Sequence, residues 1–508
     1  SILLIFTMKN NQLMIGLALL APLSSFAEEN GANKKKPNII YILADDLGIS
    51  ELGCYGQQLI ETPNIDRLSQ EGMTFSNHYS GTAVSAPSRC VLFTGLHTGH
   101  AYIRGNDEMA SRGNVWNHKA VLADSTLEGQ RPVPAETVMI PAVMKQAGYT
   151  TACIGKWGLG YPGSASTPNK MGFDFFYGYN CQLLAHSYYP DHLWDNDKRV
   201  ELEDNNLNVQ YGKGTYSQDL IHGKALEYLD NMNPDEPFFM WYPAIIPHAE
   251  LIVPEDSIIQ KFRGMYPEKP YKGTEPGSPA FRKGGYCSQF HPHATFAAMV
   301  YRLDVYVGQI IQKLKDKGLY DNTIIIFASD NGPHMEGGAD PDFFNSNGIY
   351  RGYKRDLYEG GIRVPMIISW PGHVQPNTET DFMCSFWDVL PTFEEIIHPK
   401  AKQKEMDGVS MLPLLENRKG QKEHEFLYFE FQELNGRQAV RKGPWKLVHM
   451  NIRGDKPYYE LYNLASDPSE RHNILDQYPE KVAELKDIMV REHRPDPNWP
   501  LLKEEKAK

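Results

Sequence analysis

The chain has 508 residues, 41% hydrophobic and 22% charged, close to a soluble globular average and far from disordered or collagenous sequence. At that length it can bury a large core without disulfide staples. Its net charge of −12 argues against a nucleic-acid partner, whose phosphates are neutralised by Lys and Arg, although a bound cation can still reverse the field inside one cleft.

Met8 to Gln12, with Lys9, gives a short cationic stretch; residues 13–23 are an apolar run, and Ser24-Ser25-Phe26-Ala27 a small-residue end. This layout predicts a secretory signal peptide over residues 1–27, with 1–7 read as a leader upstream of a start at Met8. The run is too short to span a bilayer, so the expectation is a periplasmic or secreted protein with no membrane span. The six cysteines are too dispersed to form a framework, and no pairing is assigned.

Residues 39–44 read as a fully buried strand that ends in Asp45-Asp46. Thr62-Pro63 then opens a helix that stops at Gly72. Helices over 138–146, 218–229 and 294–317 alternate with strands over 150–154, 238–242, 323–328 and 364–369. Such alternation predicts an α/β fold, a mixed, mostly parallel sheet flanked by helices, with its chemistry at the carboxyl ends of the strands. Past Pro399 the texture changes to short strands over 426–431, 445–449 and 458–462 and a helix over Pro479–Glu492. The expected division is a catalytic domain over 28–399 and a smaller C-terminal α+β subdomain over 400–508.

Ser85-Ala86-Pro87-Ser88-Arg89 places Ser85 at or just before a helix N-terminus, where free N–H groups favour an anion. Asp45, Asp46, Asp330 and Asn331 follow two strands and offer three carboxylates and an amide. Either pair alone would be a common turn former. Two such pairs at strand ends form a hard-oxygen set suited to Ca²⁺, or to Mg²⁺, rather than to zinc.

The sequence resembles the formylglycine-dependent sulfatases, of the alkaline phosphatase-like superfamily, from Pro37 to the C-terminus. The resemblance rests on Ser85-x-Pro87-Ser88-Arg89 with Thr94-Gly95, Gly155-Lys156-Trp157, Ser329-Asp330-Asn331-Gly332, Lys354, and Glu359-Gly360-Gly361-Ile362-Arg363-Val364-Pro365. It implies that Ser85 is oxidised to formylglycine by an anaerobic sulfatase-maturating enzyme, in a bacterial source. One hydroxyl of the aldehyde hydrate would attack sulfur and the other would later release sulfate. It also implies that Asp45, Asp46, Asp330, Asn331 and the modified Ser85 hold Ca²⁺. Arg89, Lys156 and Lys354 would bind sulfate oxygens, and His248 would protonate the leaving oxygen.

One position departs from the family pattern. Gly158 stands where many relatives carry a histidine, and His97, His100 and His186 are candidates for its role, which could also be dispensed with. The aromatic and polar segment 185–194 suits a sugar, with His186 the preferred hydroxyl reader and Arg104, Asn106 and His334 as further substrate-binding candidates. The expected substrate is a sulfated glycan, of galactose or N-acetylgalactosamine type in mucin or glycosaminoglycan. The alternatives are a phosphomonoesterase or phosphodiesterase of the same superfamily and a catalytically silent glycan-binding protein.

Overall fold

Ten strands form the central sheet of the computed structural model, in the order 378–380, 73–75, 366–369, 323–329, 38–44, 238–243, 150–156, 175–179, 192–195, 198–201. The model describes residues 35–205, 214–275, 286–403 and 405–505; the expected signal peptide and leader lie outside them. Asn38–Ala44 runs parallel to both neighbours, Thr323–Ser329 and Phe238–Pro243, and Thr150–Lys156 continues the parallel set. The sheet is therefore mixed and mostly parallel, as the alternation of elements implies. Met366–Ser369 is shorter than its sequence suggests and pairs antiparallel with Thr323–Ser329.

Side chains alternate between two cores, as the period of a strand requires. Ile39, Tyr41 and Leu43 point into one apolar cluster, and Ile40, Ile42 and Ala44 into the other. Phe239 and Trp241 against Phe238, Met240 and Tyr242 repeat the pattern on the next strand. Covered on both faces, these strands read as continuous apolar runs. Pro292–Asp316 covers one face with an apolar stripe that includes Leu303, Val307, Ile310 and Leu314.

The C-terminal part is a four-stranded antiparallel sheet, Leu427–Phe431, Arg437–Lys442, Trp445–Met450 and Tyr458–Asn463, with the helix Pro479–Glu492. The second strand carries no apolar run in sequence because charged residues stand at its ends on both faces (Arg437, Arg441, Lys442), leaving only Ala439 and Val440 apolar. Tyr428, Val440, Leu447 and Leu461 pack on Leu485, Ile488 and Met489 of the helix. Leu427, Phe429, Phe431, Ala439 and Val448 face the other way, into the core shared with the central sheet. The two parts thus have one continuous apolar interior, and Pro37–Lys508 forms a single compact unit.

Among the described residues no helix is long and apolar enough to cross a membrane. All six cysteines are free. Cys90 is fully buried and its thiol is pushed up to about 11 by burial, so it is packing rather than chemistry.

Candidate active site

Four parallel strands deliver polar groups at their carboxyl ends. Asn38–Ala44 is followed by Asp45 and Asp46, Thr323–Ser329 by Asp330 and Asn331, Thr150–Lys156 ends on Lys156, and Phe238–Pro243 leads to His248. Asp46 sits at φ +62, a left-handed conformation that Asp tolerates better than most residues. Gly332 is obligatory: a Cβ there would lie 2.0 Å from the Gly360 carbonyl oxygen, and its N–H donates to the Gly361 carbonyl at 2.9 Å.

Ser85 is the first residue of the helix Ser85–Thr94. Pro87 falls in the first turn, where a missing N–H costs nothing. Ser88 fastens the entry: its hydroxyl accepts from Thr82 N–H and donates to the Thr82 carbonyl, both at 3.0 Å. Asn106 Oδ1 accepts the Ala86 N–H at 3.1 Å, satisfying one of the helix's free donors.

Around Ser85 the charges interlock. Ser85 Oγ donates to Asp45 Oδ1 at 3.0 Å, and Lys156 Nζ is hydrogen-bonded to Asp45 Oδ2. Arg89 donates to the Lys156 carbonyl at 2.7 Å and to Asp330 Oδ2 at 3.1 Å. Asn331 Nδ2 donates to Asp46 Oδ1 at 2.7 Å, and Lys354 Nζ lies 2.9 Å from Asp46 Oδ2. Asp45, Asp46, Asp330 and Asn331 are fully buried, and Lys156 is 1% exposed. Burial would raise the Asp46 carboxyl, but the Lys354 charge beside it outweighs burial and holds it low. Burial lowers Lys156, with Asp45 opposing, while burial and the charge of Asp45 raise Asp330.

This donor set fits a hard divalent cation. Three buried carboxylates and one amide are linked side by side, Asp330 and Asn331 to Asp46 by hydrogen bonds and Asp45 to Asp330 through Arg89, and among the described residues the buried Asn331 Oδ1 has no hydrogen-bond partner. An orphaned amide oxygen beside acidic groups is unfavourable by itself and favourable as a cation ligand.

His248 is neutral here. Its Nδ1–H donates to the Ala249 carbonyl at 2.5 Å, which leaves Nε2 to accept from Lys354 Nζ at 3.2 Å. Burial first, and then the Lys354 charge, push the imidazole down to about 3. Glu336 completes this corner. It lies 3.4 Å from Lys354 Nζ, accepts from Tyr286 at 2.9 Å, and is held low by the charges of Lys354 and Arg355 against the effect of burial.

The substrate-binding candidates separate. His186 lies beside the Ser85 network, stacked on His248 at 5.0 Å and next to Tyr286 at 5.6 Å. Arg104 lies apart from it: the residue is buried and its guanidinium binds the Ala101 and Arg494 carbonyls and Glu430, tying this turn to the C-terminal sheet. Both ring nitrogens of His334 are taken by backbone, Nε2 by the Pro247 carbonyl at 2.9 Å and Nδ1 by the Glu336 N–H at 3.1 Å, so it braces the His248 loop. Asn106 bonds the first turn of the Ser85 helix. His97 and His100 stack on each other and bond Glu492 and Asp407, a separate cluster that takes no part in the Ser85 network.

What occupies the Gly158 position is Gln182. A Cβ on Gly158 would lie 2.4 Å from Gln182 Nε2, a buried nitrogen with no partner. Gln182 N–H donates to Gln130, whose amide donates to Glu108 Oε1 at 3.1 Å. Burial pushes Glu108 up to about 7, so its contribution to stability is intact below about pH 4.5 and is lost as pH rises to about 7. Glu108→Gln is therefore expected to raise stability at pH 8 by up to about 3 kcal/mol and to change it little at pH 4.5, read by urea unfolding at both pH values. A variant destabilised at pH 8 would show that the carboxylate is paired rather than stranded.

Residues 37–397 match the Sulfatase family, more than half of the chain. The chain belongs to the sulfatase family. Residues 348–494 of this sulfatase also match the C-terminal family described as N-sulphoglucosamine sulphohydrolase, C-terminal. The sulfatase is 30% identical to an N-acetylgalactosamine-6-O-sulfatase of Bacteroides thetaiotaomicron, over 94% of this chain and 97% of the relative. An N-acetylglucosamine-6-O-sulfatase from the same organism is 26% identical, over 95% and 91%. Among solved structures, Ps i-CgsB in complex with k-i-k-neocarrahexaose superposes with a TM-score of 0.71 at 26% identity, over 92% of this chain and 95% of that one. Its homologues therefore include bacterial carbohydrate sulfatases, and it is a sulfuric ester hydrolase by family.

Glu336 was not legible beforehand, because one Glu in a polar loop carries no periodic or motif signal. Only the convergence of Lys354, Tyr286 and His248 on its carboxylate marks it.

Proposed function

We propose that this sulfatase is an exported carbohydrate O-sulfatase that acts on galactose- or N-acetylgalactosamine-type sugars, with Ser85 converted to formylglycine. The observation that carries the reading is the Ser85 hydroxyl bonded to Asp45, the same carboxylate that Lys156 and Arg89 neutralise, near Asn331, whose side-chain oxygen has no hydrogen-bond partner among the described residues. The 6-O-sulfatase relatives favour a primary sulfate ester, and the apolar-start layout of residues 1–27 favours a periplasmic or secreted location.

Asp45, Asp46, Asp330, Asn331 and the modified Ser85 would hold Ca²⁺, which polarises a bound hydroxyl and a sulfate oxygen. A hydrated formyl group supplies two hydroxyls on one carbon, one for attack at sulfur and one for release of sulfate. The rest falls to the chain's own side chains. Asp45 orients the Ser85 position and takes up its hydroxyl proton. Arg89 fixes Asp330 and the Lys156 carbonyl, which keeps the Lys156 ammonium aimed at the incoming sulfate. Lys354 and His248 share one proton across 3.2 Å, and that pair protonates the leaving sugar oxygen. A sugar alcohol is a poor leaving group, so this proton counts for most on natural substrates.

The decisive measurement is the peptide mass around Ser85 in active enzyme purified from its native host. A loss of two hydrogens is expected; unmodified serine in an active sample would sink the reading. His248→Ala is expected to slow sugar sulfates by about 10²–10³-fold and 4-nitrophenyl sulfate by less than about 10-fold. Equal losses on both would remove His248 from leaving-group protonation.

A further inference from the structure

Arg355 adjoins Lys354 and has no part in the reaction as described. Neighbouring residues of an extended chain point to opposite sides, yet these two side chains end on the same carboxylate. Lys354 Nζ lies 3.4 Å from Glu336 Oε2, and Arg355 Nη1 lies 2.7 Å from Glu336 Oε1. The turn that allows it is at Arg355 itself, with φ +79, a left-handed conformation that costs a residue with a Cβ roughly 1–2 kcal/mol.

The backbone is held there from both sides. Arg355 N–H donates at 3.0 Å to the carbonyl of Ala83, two residues before Ser85. Its own carbonyl accepts from Arg437 at 2.9 Å, and Arg437 is paired with Asp356 at 2.9 Å. Strain that the surroundings enforce in this way, beside a nucleophile, points to a use. The guanidinium is also placed differently from its neighbour's ammonium. The Lys354 side chain is 6% exposed and sealed inside the site, whereas that of Arg355 is 40% exposed. Glu336 grips one edge of the fork, Glu433 lies 3.5 Å from Nε, and among the described residues Nη2 makes no hydrogen bond.

We propose that Arg355 is a specificity-determining residue that binds the sugar bearing the sulfate, donating N–H groups to adjacent ring hydroxyls. The proposal rests on the carbohydrate reading above. Hydroxyls fit better than a second anionic group, because two carboxylates already face this one guanidinium. A planar fork held by Glu336 and Glu433 loses little rotamer freedom when it binds. Tyr286, on the same Glu336 carboxylate, and His186 beside it supply ring surface for the sugar's apolar face.

The test uses the matured, calcium-loaded enzyme with Arg355→Lys, which keeps the charge and loses the fork, and Arg355→Gln. Both are assayed on galactose 6-sulfate, N-acetylgalactosamine 6-sulfate and 4-nitrophenyl sulfate, which has no sugar. The expected result is a fall in kcat/KM of about 30- to 100-fold on the sugar sulfates, expressed in KM and at least ten times the loss on the aryl ester. A variant that only disturbed Glu336 and Lys354 would slow all three substrates alike, and that outcome would overturn the proposal. A loss confined to kcat would overturn it too. Should the unaltered enzyme cleave the aryl ester and none of a wide panel of sugar sulfates, the carbohydrate reading itself falls, and this inference with it.

Discussion

Ser85→Ala is expected to lower kcat/KM toward any sulfate ester by at least about 10⁴-fold, the scale seen when a nucleophile is removed from an otherwise intact site. Stability should fall by no more than about 1.5 kcal/mol, since one hydrogen bond to Asp45 is lost and Lys156 still neutralises that carboxylate. Val84, not Ser85, occupies the helix cap, so no capping contribution disappears. Activity and unfolding measured on the same preparation separate the two effects. Retention of more than about 1% of activity in a correctly folded variant would mean that the nucleophile lies elsewhere.

Lys446→Ala should give the largest loss of stability, about 3–5 kcal/mol at pH 8 in urea unfolding. Lys446 is buried between Glu359, at 2.9 Å, and Glu470, at 2.7 Å, and both carboxylates are also sealed from water. Glu359 has further partners in Arg363, at 3.1 Å, Tyr79 and Arg441, whereas Glu470 has Lys446 as its one cation, with the Glu359 N–H at 2.6 Å, among the described residues. Burial already pushes Glu470 up to about 7, against Lys446. Without the ammonium its carboxyl folds protonated, so the penalty grows as pH rises from 6 to 8. A loss under about 1 kcal/mol at pH 8 would show that the cluster is not sealed from water. The same geometry explains part of the Glu359 to Pro365 motif. Glu359 ties the central sheet to the C-terminal one through Lys446 and Arg441, and Arg363 braces Glu359 from Tyr79 and Asn77.

The strands and the catalytic motif were readable because their causes are local. Residues 39–44 and 324–328 are apolar at every position, the pattern of a strand buried on both sides, and Pro479–Glu492 carries a clear helical stripe. The acidic pairs stand where those strands end, so their convergence followed from a parallel sheet. Arg437–Lys442 left no such pattern, because charged residues interrupt both of its faces and its partners lie on other strands.

Local pattern in the chain is enough for the α/β class, the strand ends that carry Asp45, Asp46, Asp330 and Asn331, and the position of Ser85 at a helix start. Each of these depends on neighbours within a few residues. Which polar groups meet across hundreds of positions depends on how the folded chain joins them. The fold turned Arg104 and His334 inward to carbonyls and carboxylates, moved His97 and His100 to a separate cluster, and placed Gln182 over Gly158. It also brought Lys354 and Arg355 onto one carboxylate through a left-handed turn. A side chain's role rests on what it faces, and a fold that joins distant segments sets those partners without leaving a local pattern.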